Sequence, residues 1–83
     1  MRAEDILPDD INHGRFDGVV IRKGTVAAFL ANAKTLSRAD ATPADRTAAQ
    51  RDIAESLPAL RALGLFDLLT IRDDALRAWV DAR

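Results

Sequence analysis

The residues best suited to chemistry are few: one histidine, two pairs of adjacent carboxylates, and a cationic joint ahead of a helix. The histidine, His13, stands beside a turn sequence with no acidic partner at fixed spacing. General acid–base work needs a positioned partner, so His13 reads as a surface or turn residue. Asp9-Asp10 and Asp73-Asp74 are paired acids, yet each has a simpler role, as turn former and as helix cap. With one histidine, no cysteine and no His–acid pair at i, i+4, a metal-ligand pattern is absent. No catalytic residue, metal ligand or cofactor is therefore assigned.

The cationic joint is Arg22-Lys23-Gly24-Thr25. At a helix start, backbone amides, a hydroxyl and two cations can hold a phosphate, which makes these four residues an anion- or nucleotide-site candidate. They are not a P-loop, whose G-x-x-x-x-G-K-[ST] spacing is missing. The competing account is a strand end with solvated charges and an ordinary cap.

Several elements must position these groups, and the stretch Phe16 to Leu36 organises them. Asp17-Gly18 is a type I′ turn signal, since both residues tolerate positive φ. It pairs Phe16 with Val19, Arg15 with Val20 and Gly14 with Ile21. Alternation then puts Phe16, Val19 and Ile21 on one face and His13, Arg15, Val20 and Arg22 on the other. Past Gly24, Thr25 is the expected N-cap, and Val26, Phe29, Leu30, Ala33 and Leu36 make a helical stripe.

Farther on, Thr42-Pro43-Ala44-Asp45 opens a second helix, with Thr42 at the N-cap and Pro43 at N1. Its apolar stripe is Ala49, Ile53, Leu57, Leu60 and Leu63. Pro58 predicts a kink or a break. Gly64 suits the left-handed position that ends a helix, with Leu65 folding back toward Leu60. Phe66 to Arg72 is the expected third strand, and Asp73 caps a last helix with Leu76, Trp79 and Val80 inward. The two joints also align at a shift of fifty residues, Phe16-Asp17 with Phe66-Asp67 and Ile21-Arg22 with Ile71-Arg72.

These elements predict one α+β domain over residues 11–83, behind a partly ordered segment 1–10. Its architecture is a three-stranded antiparallel sheet, the hairpin plus one strand, with about three helices on one face. The expected core is Val19, Ile21, Phe29, Leu30, Ile53, Leu60, Leu69, Ile71 and Trp79. The other sheet face would gather His13, Arg15, Val20, Arg22, Leu68 and Arg72 (with Thr70) into a basic and apolar partner-binding surface.

Composition frames the function. The chain has 83 residues, 48% hydrophobic and 30% charged, with a formal net charge of −1. That balance argues against bulk binding to nucleic acid, and the Arg-bearing face lacks the aromatics of a stacking platform. No apolar run reaches the roughly 20 residues of a membrane span, and residues 1–10 lack a signal-peptide core, so a cytoplasmic protein is expected. A small core without disulfide or metal invites support from association. The leading expectation is a non-enzymatic interaction module acting as a homodimer or on an acidic protein partner. The alternative is an anion- or nucleotide-binding protein centred on Arg22 to Thr25.

Overall fold

The structure, a computed structural model, describes all 83 residues. Its elements run α1 (Ala3–Ile6), β1 (His13–Phe16), β2 (Val19–Arg22), α2 (Thr25–Ser37), α3 (Pro43–Leu63), α4 (Leu65–Leu68) and α5 (Asp74–Asp81). The chain is α+β, with a single two-stranded antiparallel hairpin and five helices.

The hairpin forms at the expected turn and in the expected register. Asp17 and Gly18 hold φ of 50° and 78°, and the pairs are His13–Arg22, Gly14–Ile21, Arg15–Val20 and Phe16–Val19. Ile21 is buried and β2 packs against α3, while His13, Arg15, Val20 and Arg22 face outward. The segment before the hairpin closes over the inner face. A Cβ placed on Gly14 would lie 2.9 Å from Leu7 Cδ2, so the close approach of Leu7 depends on glycine there.

Helices α2 and α3 pack together and carry the core. Phe29, Ile53, Leu57, Leu60 and Val80 are buried as one cluster, with Leu36, Leu65, Phe66, Ile71, Leu76 and Trp79 partly buried against it. The start of α3 is a full capping box: Asp45 N–H donates to Thr42 Oγ1 at 3.0 Å, and Thr42 N–H donates to Asp45 Oδ2 at 3.2 Å. Its end is Gly64 at φ 81°, whose N–H donates back to the carbonyls of Leu60 and Arg61. The α5 cap is likewise Asp73, whose Oδ1 accepts from the Leu76 N–H at 2.8 Å.

The structure corrects five expectations. The third strand over Phe66 to Arg72 does not exist. Leu65–Leu68 is a helical turn, and only a short stretch without regular structure separates it from the α5 cap. The physical reason lies in the pattern: Leu68 and Leu69 are adjacent apolar residues, so no period of two holds. Leu65, Phe66 and Leu69, by contrast, have the i, i+1, i+4 spacing of a helical face. The sheet is therefore two-stranded, and the helices number five rather than three. The aligned joints are correspondingly different structures, strand to helix at Ile21 and coil to helix at Ile71.

The N-cap of α2 is Gly24, at φ 91°, and not Thr25. Thr25 sits inside the helix, and its hydroxyl donates to the Arg22 carbonyl at 2.6 Å. Of the kink or break expected at Pro58, the break does not occur: helix α3 continues through the proline, with Ile53, Leu57 and Leu60 buried on both sides of it. Finally, Leu30 and Leu69 are not core: they are 51% and 60% exposed. No helix is long and apolar enough to cross a membrane.

Candidate functional site

The exposure of Leu30 and Leu69 has one cause. Successive residues of a helix turn by about 100°, which places Phe29 and Leu36 on one side of α2 and Val26, Leu30, Ala33 and Ser37 on the adjoining side. Helix α3 covers the first group only. The second group faces outward across a trough whose far wall is Leu65, Leu69 and Ile71, with Leu76 beyond. The trough is open to solvent, encloses about 520 Å³, and is mostly apolar. Its floor is Phe29 and Phe66, packed edge to face with ring centroids 5.8 Å apart.

Cations edge this trough. Lys34 flanks the stripe on α2, Arg38 is the extended residue that caps the end of that helix, and Arg72 stands on the far wall beside Asp73. Asp73 also borders a smaller recess with Leu36 and Ser37, which sets Arg72 and Asp73 near the C-terminal end of α2. Lys34 and Arg72 have no ion-pair partner, and Arg38 has only an exposed contact with Asp40 at 3.6 Å. The single carboxylate lining the trough, Asp73, is engaged as the α5 cap. With Asp40 beside Arg38 counted as well, three cations stand against two carboxylates, which leaves the rim at +1.

The six residues expected to share an outer sheet face are divided by the loss of the third strand. His13, Arg15, Val20 and Arg22 do stand together, solvent-facing on the hairpin, with Val20 52% exposed. Leu68 and Arg72 lie elsewhere, Leu68 at the end of α4, 89% exposed, and Arg72 on the trough.

The joint Arg22-Lys23-Gly24-Thr25 is largely engaged within the chain. Lys23 Nζ donates to the Pro8 carbonyl at 2.7 Å, and the Thr25 hydroxyl is turned to Arg22. These bonds anchor the segment before the hairpin and close the turn into α2. Two of the donors that would face an anion are thereby occupied. No three His, Asp or Glu side chains come together at metal-binding spacing.

The trough went unread in the sequence, although a signal was there. The apolar arc of α2, from Leu36 round to Leu30, is wider than one packed helix covers. Searches of known proteins returned no matching family model, no matching curated protein and no matching solved structure.

Proposed function

We propose that this protein is a small non-enzymatic interaction module, acting in the cytoplasm, that docks an apolar protein segment in the trough between α2 and residues 65–76. The observation that carries the reading is the exposure of Leu30 and Leu69 across a floor of packed aromatic rings. Contiguous apolar concavities with a polar rim are characteristic of docking sites, whereas scattered exposed leucines are not. The docked segment belongs to a partner protein or to a second copy. Anion binding at Arg22 to Thr25 is the reading we set aside, since Lys23 and Thr25 are engaged within the chain.

The test is selection of displayed peptides on the full 83-residue chain, repeated with Leu30→Gln and Leu69→Gln. Both leucines are half exposed or more, so circular dichroism should show each variant folded. Peptides enriched on the parent chain should bind the double variant at least about tenfold more weakly, the value of roughly half a buried leucine. Enrichment of nothing, or of peptides indifferent to both changes, sinks the docking reading.

A further inference from the structure

We propose that the occupant of the trough is an amphipathic helix of a partner protein, bearing carboxylates beside its apolar anchors. This rests on the docking reading above and narrows it. Three features of the trough carry the inference: its length, its wall and its charge.

Val26, Leu30, Ala33 and Ser37 follow one another at i, i+4, i+7 and i+11 along a single side of α2. That row is about 16 Å long, or three helical turns. A second helix laid beside α2 meets a ridge of this kind with its own i, i+3, i+4, i+7 side chains. An extended peptide lacks such a match. It would need a free strand edge, but the far wall has no strand there, and Arg77 Nη1 already donates to the Ile71 carbonyl at 2.9 Å. A small amphiphile fits less well too, because an open trough buries one side of its guest, whereas binding sites for small ligands enclose most of theirs. A helix brings its own outer face for water.

Charge then selects among helices. Lys34 lies at the outer edge of the α2 ridge and Arg38 just past the end of that helix, and Arg72 lines the other wall. An occupant with carboxylates toward the C-terminal end of α2 meets three cations, two of them without a partner. A basic helix meets repulsion there. A second copy seated groove to groove fares no better, for the one carboxylate lining its own trough is Asp73, which is engaged as the α5 cap and leaves the rim cations without acidic partners. Acidic flanks also explain why cations stand beside an apolar floor in a chain of net charge −1.

The experiment uses two synthetic helical peptides with identical leucine anchors, one flanked by Glu and one by Gln, titrated into the whole protein. Amide and methyl chemical shifts follow the binding. The Glu peptide should move the resonances of Leu30, Phe66 and Leu69 and bind about tenfold tighter than the Gln peptide, as several exposed ion pairs acting together allow. That preference should vanish in the triple variant Lys34→Gln, Arg38→Gln, Arg72→Gln, whose apolar floor is untouched. Equal binding of the two peptides overturns the acidic assignment while leaving docking intact. If neither peptide moves a trough resonance, the helix assignment falls, and docking is then judged by the peptide selection alone. Tighter occupation by sodium decanoate overturns the proposal in favour of a small amphiphile. So does a dimer in sedimentation equilibrium that Leu30→Gln and Leu69→Gln dissociate, in favour of a second copy.

Discussion

At the scale of single residues, the arginines divide into those that brace the fold and those that face outward. Arg46 Nη1 donates to the Leu36 carbonyl at 2.8 Å, closing the last turn of α2. Arg61 Nη2 reaches the Arg83 carbonyl at 2.9 Å, beyond α5, and Arg77 holds both Ile71 and Asp74. Each supplies a cation where a helix end or loop leaves carbonyls without backbone donors. The guanidinium groups of Arg15 and Arg22 on the hairpin make no such bond, and Arg22 meets Thr25 only through its carbonyl. Arg46→Ala should therefore lower stability by about 1 kcal/mol in urea denaturation, while Arg15→Ala should stay within about 0.5 kcal/mol of the parent. Equal losses would mean that the brace contributes nothing. Phe29 is the larger case, buried at the centre of the cluster and against Phe66. Phe29→Ala should cost about 3–5 kcal/mol. A melting temperature that barely moved would show that α2 does not turn this face inward.

At the scale of elements, what could be read from the sequence was what local chemistry dictates. Asp17-Gly18 fixes a turn by its tolerance of positive φ, Thr42 and Asp45 cap α3 by hydrogen bonds three residues apart, and Gly64 and Asp73 act the same way at their helix ends. None of these depends on a distant neighbour. The segment 65–71 does. Its apolar spacing breaks the alternation of a strand at Leu68-Leu69, and the packing of Phe66 on Phe29 holds the helical turn that forms instead. Likewise, periodicity identifies Leu30 and Leu69 as apolar positions but is silent on whether any element covers them. The candidate site thus lay hidden among residues assigned to the core. Pro58 shows the same override. The proline cannot donate to the Ala54 carbonyl, yet it is exposed and α3 continues through it. Pro58→Ala restores a donor and should stabilise the protein by roughly 1–3 kcal/mol in the same urea assay. A loss of stability instead would mean that the proline sets a bend on which the burial of Leu57 and Leu60 depends.

At the scale of the whole molecule, the surface is larger than its mass requires. A compact monomer of 9.0 kDa exposes about 4,900 Å², and this chain exposes 6039 Å². Its radius of gyration is 13.7 Å, against about 12 Å for a compact chain of this length, and its extents are 38 × 24 × 21 Å. The excess is of the same order as one side of a standard protein interface, about 800 Å². Only seven residues are buried, so a bound partner should change stability by a large fraction. With the Glu-flanked peptide at about a hundred times its Kd, mass action adds about 2.7 kcal/mol, a rise in Tm of about 10–20 °C for a domain of this size. Salt should separate the two contributions. The four ion pairs within the chain are all at the surface, so the Tm of the free protein should change little as NaCl rises from about 0.05 to 0.5 M. The increment added by a fixed concentration of the Glu peptide should shrink over that range, because the rim cations become screened while the apolar floor does not. Differential scanning calorimetry of free and bound protein at both salt concentrations reads both quantities. An increment unchanged by salt would assign the affinity to the floor alone and remove Lys34, Arg38 and Arg72 from the docking site.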